Sequence, residues 1–282
     1  MTTSREILRF DDLEPYLLLK NGNFLYKIPF RDDWAVLKVY FGSRGPWSRF
    51  TKSVENVLLA GQTSYSPRTR RRVELECLRL WHRHGFRVFE TFDDVEVRAP
   101  NCPDDGYLLF EFLEAPKLHH YLRDESVAIE ERFRTYRAWL PEWSRRHDIA
   151  IADREPRLVH ENGDGKHVLI LGDDKFLWFD FEVCFRSRSR VQDHVSHEIV
   201  QYIWNIMKMV PPEIRERVLA ETVDHYPARA RLEAAHDYFF NHPNPFHRWG
   251  RAFDRRFSKR AQKASSKYNV ARRLHERLGQ PR

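Results

Sequence analysis

At 282 residues the chain is long enough for one two-part domain or two small ones with a substantial core. Its 14% aromatic content, with 8 Trp, excludes a disordered chain, and its three separated cysteines, Cys77, Cys102 and Cys184, exclude a disulfide framework or Cys-x-x-Cys zinc site and point to a reducing compartment. No apolar run approaches the roughly 20 residues that span a bilayer, and residues 1–9 lack a signal-peptide core. The expectation is a cytoplasmic protein, soluble or peripheral on the inner face of the cytoplasmic membrane. The net charge of +7 is local: residues 246–282 carry twelve Lys and Arg against Asp254 and Glu276, which leaves the rest of the chain at −3.

In chain order, three apolar runs come first: residues 17–19, 24–30 and 34–41. They are separated by the turns Lys20-Asn21-Gly22-Asn23 and Arg31-Asp32-Asp33, which predicts an antiparallel sheet. A polar stretch with a short helix at 50–59 follows, then a helix over 68–84 closed by Gly85. In that helix Val73, Cys77, Leu80, Trp81 and His84 recur at helical spacing, with Glu74 and Glu76 beside the stripe. Strand material is expected at 86–93, 95–98 and 107–113, where Glu114-Ala115-Pro116 stops pairing.

Beyond that point the periodicity is helical, over 128–143 with a bend at Pro141. Two short apolar runs, 168–171 and 176–179, flank Gly172-Asp173-Asp174-Lys175 and read as a hairpin. Helices are then expected at 195–209, 213–225 and 229–240. His194-x-x-His197-Glu198 reads as surface histidines at a helix start rather than a metal site, because no further ligand completes it.

The polar loop His160-Glu161-Asn162-Gly163-Asp164-Gly165-Lys166-His167 enters the hairpin, and Asp180-Phe181-Glu182 leaves it. Kinase-like phosphotransferases place their catalytic loop and metal-binding Asp in this order. Ala35-Val36-Leu37-Lys38 fits their third strand, although a strand Lys by itself also reads as a solvated face residue. Three letters of the pattern differ: Asn162 replaces the catalytic Asp, His167 the metal-binding Asn and Glu182 the Gly.

The His at 167 before a short strand, and the segment Glu74-x-x-x-Leu78-x-x-Trp81-x-x-x-Gly85, resemble the lipopolysaccharide kinases that phosphorylate Kdo or heptose. The resemblance covers residues 17–204. It implies an α+β, two-lobed protein-kinase-like fold, with a strand-rich lobe over 1–113, a helical lobe over 114–245 and a basic tail over 246–282.

The resemblance also implies roles. ATP binds with Mg²⁺ or Mn²⁺, Lys38 reaches the phosphates, Glu74 (with Glu76 in reserve) holds Lys38, and Gly22 lies in the phosphate-covering turn. Judged locally, Glu74 reads equally well as a surface partner of Arg70 or Arg71. Asp180 and His167 are the implied metal ligands, and the four residues Lys38, Glu74, His167 and Asp180 are expected to meet in one cleft. Asn162 can orient an acceptor hydroxyl but cannot take its proton, whereas Asp164 is a carboxylate in the same loop. The acceptor is then a sugar or lipid-linked sugar; the competing reading is a pseudokinase that binds nucleotide or scaffolds. Nucleic-acid binding through the tail lacks any reading motif.

In the tail, Phe246, Trp249, Phe253 and Phe257 fall on one helical face, with Arg248, Arg251, Arg255, Arg256 and Lys259 over the rest. Such a helix packs its rings on the helical lobe or lays them in an anionic membrane interface.

Overall fold

A computed structural model describes residues 5–41, 45–100 and 102–280. The chain forms an α+β protein with an antiparallel sheet in its N-terminal part and helices in its C-terminal part. It divides into two compact units, Met1–Glu114 with Trp178–Arg186, and Ala115–Leu177 with Ser187–Arg282. The segment that begins at Trp178 thus clusters with the strand-rich unit, not with the 114–245 stretch assigned from sequence.

The first unit opens with β1 (Glu6–Arg9), β2 (Leu17–Lys20), β3 (Phe24–Phe30) and β4 (Asp33–Val39). Helix α1 (Pro46–Val54) runs into a π-helical turn, Glu55–Leu59, so the helix expected at 50–59 starts earlier and widens at its end. Helix α2 (Pro67–Arg83) starts with Pro67 in its first turn and Ser66 capping Thr69 N, and the chain leaves it through Gly85 at φ +75°. Next come β5 (Arg87–Val88), β6 (Val95–Arg98) and β7 (Tyr107–Glu111). The strand expected at 86–93 is only two residues long.

The main sheet has four strands in the order β2-β3-β4-β7, one more than the three predicted, because β7 pairs antiparallel with β4. A parallel pair, β1 with β6, lies apart from it. The period-2 alternation of β4 sends Ala35, Leu37 and Val39 into an apolar core with Ile28, Phe30, Val97 and Leu109. Lys38 therefore points to the opposite face.

Trp178–Arg186 is secured to this unit by rings and backbone. Phe181 lies 4.4 Å from Trp81, Phe179 lies 5.5 Å from Phe89, Thr63 N donates to Cys184 O, and Arg186 N donates to Gly61 O.

The second unit contains α3 (Leu118–Arg123), α4 (Ile129–Ala152), the hairpin β8 (Val168–Gly172) and β9 (Lys175–Trp178), then α5 (Val191–Met209), α6 (Pro212–His225), α7 (Arg229–Phe240), α8 (Pro245–Phe257) and α9 (Lys267–Leu278). Helix α4 runs on to Ala152 rather than stopping near 143. Pro141 lacks the N–H that would reach back one turn, yet Trp139 stacks on Trp143 at 4.5 Å and holds the helix across it. That extension and a 3₁₀ turn, Pro156–Leu158, carry the chain to His160.

Two expectations for the C-terminal part are corrected. His194 is buried, because α5 begins at Val191 and its first turn is already inside the unit. The basic tail over 246–282, set apart from the helical lobe in the sequence reading, clusters with the second unit: α9 buries Tyr268, Val270, Ala271, Leu274 and Leu278 there. Arg282 lies outside the described residues.

Candidate active site

The first unit gathers two cations and three carboxylates. Lys38 projects from β4 and Glu74 from the third turn of α2, and the ammonium donates to both Glu74 oxygens at 2.8 and 3.0 Å. It also reaches Asp180 at 3.3 Å and Glu182 at 2.7 Å. Tyr40, one alternation further along the chain, donates its hydroxyl to Glu74.

Arg70, one helical turn before Glu74, donates through Nε to Glu182 at 2.8 Å and also bonds Asn23. Asn23 in turn donates to Glu182. A latch therefore joins the β2–β3 turn, α2 and the segment after β9. Gly22 sits in that turn at φ +76°, a conformation that a side chain resists, and its carbonyl accepts from Arg70 at 3.4 Å.

Charge accounts for the electrostatics. Burial by itself would lower the pKa of Lys38, but Glu182, Glu74 and Asp180 outweigh it and hold the amine above its ordinary value. Lys38 is therefore a fixed ammonium. Burial pushes the Glu74 carboxyl up; Lys38 opposes the rise, and Glu182 and Asp180 add to it. With the Glu74 carboxyl lifted to about 7, three carboxylates against two cations leave the cluster with at most one surplus negative charge. Asp180 is the least buried of the three, with its side chain 34% exposed, and its backbone lies in the left-handed region at φ +74°. A non-glycine residue in that conformation marks a place where packing imposes an unfavourable backbone.

This donor set fits a hard divalent cation. Mg²⁺ is typically held by one or two carboxylates together with phosphate oxygens and water, so a dedicated protein cage is unnecessary. Among the described residues no group of three or more His, Cys, Asp or Glu is arranged to hold a metal. Asp180 is the hard oxygen ligand that such an ion would take.

The second unit holds the loop of residues 160–167 by its backbone. Glu198 on α5 is fully buried, pairs with Arg146 of α4, accepts from Trp143 Nε1 at 3.2 Å and accepts from His160 N at 2.8 Å. Arg146 also donates to Leu158 O at 2.7 Å. Burial opposes ionisation of Glu198, but Arg146 and His147 hold its pKa well below the ordinary carboxylate value. The His160 ring meets the Tyr202 hydroxyl at 2.8 Å, and Asn205 donates to Gly163 O at 2.8 Å. Gly163 has no room for a side chain, since a Cβ there would stand 2.5 Å from the Tyr202 ring.

On this anchored loop Asn162 is exposed. The Asp164 side chain caps the turn Gly165–His167, accepting from Lys166 N at 3.0 Å. His167 is buried with Nδ1 3.1 Å from the Asn162 carbonyl. A carbonyl only accepts, so Nδ1 is the protonated donor in this contact.

Lys38, Glu74 and Asp180 thus share one cluster, with the Gly22 turn joined to it through Arg70. Asn162, Asp164 and His167 share one loop of the other unit. Glu76 points outward, 3.9 Å from Arg72. The sequence reading missed three residues that shape these sites: Arg70, Glu182 and Glu198. Glu182 stood at a recognisable motif position, but nothing local marked its partners. Glu198 carried one available signal, a carboxylate at helical spacing from the apolar positions Val195 and Tyr202 of α5.

No family model matches the chain, and no curated protein matches it in sequence. Solved structures similar to it include WaaP in complex with acyl carrier protein, at 12% identity and a TM-score of 0.39, covering 95% of this chain and 93% of that one. Another is an apo pseudokinase, at 13% identity and a TM-score of 0.44, covering 100% of both chains.

Proposed function

We propose that the chain is an ATP-dependent phosphotransferase that transfers a phosphoryl group to a sugar hydroxyl of a lipid-linked acceptor, as the Kdo and heptose kinases that it resembles do. The observation that supports it most is the Lys38 ammonium, buried, charged and held at 2.8 Å by Glu74 with Asp180 at 3.3 Å. Phosphoryl transfer requires little of a protein beyond aimed positive charge and a metal-binding carboxylate. In this reading Lys38 binds the nucleotide phosphates, the turn at Gly22 covers them, and Asp180 and His167 hold Mg²⁺ or Mn²⁺. The metal supplies neutralisation of phosphate charge. Asn162 orients the acceptor hydroxyl, and Asp164 takes its proton. The rings of α8 face an anionic membrane surface, which keeps the protein peripheral on the cytoplasmic side.

A second reading, a nucleotide-binding or scaffolding pseudokinase, is favoured by Asn162, whose amide cannot accept a proton. Glu182 adds to it, since its carboxylate holds Lys38 at 2.7 Å, where phosphate oxygens have to compete.

Nucleotide binding by calorimetry and ATP turnover, with Mg²⁺ and Mn²⁺ compared, separate the two. Asp180→Ala is expected to abolish metal-dependent nucleotide binding. Asn162→Asp preserves or raises turnover, and Asp164→Ala lowers it roughly a hundredfold, the usual cost of a lost general base. Absence of turnover in both the native protein and Asn162→Asp, across sugar-lipid and protein acceptors, transfers the assignment to the pseudokinase.

A further inference from the structure

Two helices, one in each unit, are mounted with their polar side inward and their apolar side toward solvent. In α1 and its π-helical continuation, Trp47 (76% exposed), Phe50, Val54 and Leu58 (74% exposed) form an outward stripe. The other side is tied down through polar groups: Ser53 Oγ accepts from Tyr65 N at 3.0 Å, and buried Asn56 accepts at its carbonyl from Gln62 N at 2.8 Å. In α8, Phe246 (84% exposed), Trp249 (71% exposed), Phe253 and Phe257 face outward.

The helix is instead docked by its cations. Arg251 donates to the Tyr238 hydroxyl at 2.8 Å and lies 4.8 Å over the Tyr238 and Phe239 rings. Arg255 donates to Phe239 O at 2.8 Å and lies 4.7 Å over Phe240. An amphipathic helix on a water-soluble surface does the reverse and buries its apolar stripe. Among the described residues these two helices carry six of the seven exposed Trp and Phe side chains, so the rings are concentrated rather than scattered.

We propose that α1 and α8 are both interfacial membrane helices, whose rings enter the headgroup boundary of an anionic phospholipid bilayer. Charge favours lipid over a second copy or a neutral protein groove. The sequence from 246 onward holds twelve cations against two acids, and Arg248, Arg256, Lys259 and Arg260 are exposed in and just after α8. In α1, half-buried Arg49 and Lys52 lie beside the stripe, with Lys52 paired to Glu55 at 3.0 Å. Each such cation near anionic lipid contributes about 1 kcal/mol, and the rings add apolar burial. Beyond the tail contact in the proposed function, this assigns a membrane-inserting element to the strand-rich unit. It needs no nucleotide, so it stands or falls separately from phosphotransfer.

The test uses full-length protein with phosphatidylglycerol–phosphatidylcholine vesicles carrying brominated acyl chains. Trp47 and Trp249 are the most exposed tryptophans, so lipid quenching reports insertion at each helix. We expect quenching in the native protein, partial quenching in Trp249→Phe, and none in Trp47→Phe/Trp249→Phe. A Trp47→Ser/Phe50→Ser/Leu58→Ser variant is expected to keep its thermal midpoint and to weaken vesicle binding roughly tenfold or more. The proposal is overturned if the triple variant binds as well as the native protein, or if sedimentation occurs without quenching and disappears in high salt. Concentration-dependent dimerisation without vesicle binding overturns it equally.

Discussion

The two units each bury a network of charged residues, but the two networks are balanced differently. Around Glu198 one carboxylate faces one guanidinium, and both are fully buried. The other Glu198 contacts are the Trp143 indole, the His160 amide and the His147 ring at 3.5 Å, which burial keeps neutral near pH 7. Around Lys38 three carboxylates share two cations, and one of the three, Asp180, is partly open to solvent. A saturated pair holds a backbone in place and has nothing to offer a ligand. An unsaturated cluster carries a charge that the protein leaves for something else to neutralise. Substitutions should therefore divide along this line, with stability lost at the first network and ligand binding lost at the second.

The largest stability effect is expected at Glu198. Glu198→Ala leaves Arg146 buried without a counter-charge, which costs about 3–5 kcal/mol. Urea unfolding measures it, and a loss under about 1 kcal/mol would remove the contrast between the two networks.

Acid comes next. Burial holds the His147 pKa down to about 4, from an ordinary value of 6.5, despite nearby Glu198. Between these values the unfolded chain binds a proton that the folded chain refuses. Stability therefore rises with pH in that window and is lost as pH falls from about 6.5 toward 4. For this one fully buried ring the loss is roughly 2 kcal/mol at pH 5. Buried His119 and His194, also held near 4 by burial, move in the same direction. A flat unfolding midpoint between pH 7 and 5 would contradict the assignment.

Glu182→Gln sharpens the comparison from the other side. It weakens the Arg70–Asn23 latch, and it also relieves the excess of carboxylate, so the net cost is about 1 kcal/mol. Lys38 then has one fewer competitor for phosphate, and calorimetry should show tighter nucleotide binding. The smallest change in stability, within about 0.5 kcal/mol, is expected for Asp180→Ala, since it removes surplus charge from a partly exposed site. A thermal midpoint close to that of native protein, together with lost metal-dependent nucleotide binding, is the result that marks Asp180 as a ligand-facing group.

Much of the fold was legible where the signal was local. The β3–β4 alternation, the stripe of α2 and the hairpin at 168–178 depend on neighbouring residues, whereas the choice of Glu74 over Glu76 came from the family resemblance, since both stand beside the apolar stripe. What stayed hidden depended on long separation. Asn23 and Glu182 are 159 positions apart, and Arg146 and Glu198 are 52 apart. A carboxylate read alone looks solvated, because burial of a charge is visible only once its partner is in place. The parallel pairing of β1 with β6 escaped for the same reason. In the tail the ring stripe of α8 was legible from spacing, but its orientation was not, since a helical wheel shows two faces without showing which one docks.

The discontinuity of the first unit bears on the order in which the chain acquires structure during synthesis. Trp178–Arg186 supplies Phe181 against Trp81, the backbone bonds to Gly61 and Thr63, and two of the three carboxylates around Lys38. A nascent chain that ends at Glu114 contains the sheet and α2 but lacks these contacts. At about 5–20 residues per second, the ribosome needs roughly 4–14 s to proceed from 114 to 186. Throughout that interval Arg70 and the apolar face around Trp81 wait for a segment that does not yet exist. A fragment cut at the apparent boundary would be left permanently in that waiting state, with Lys38 held by Glu74 alone.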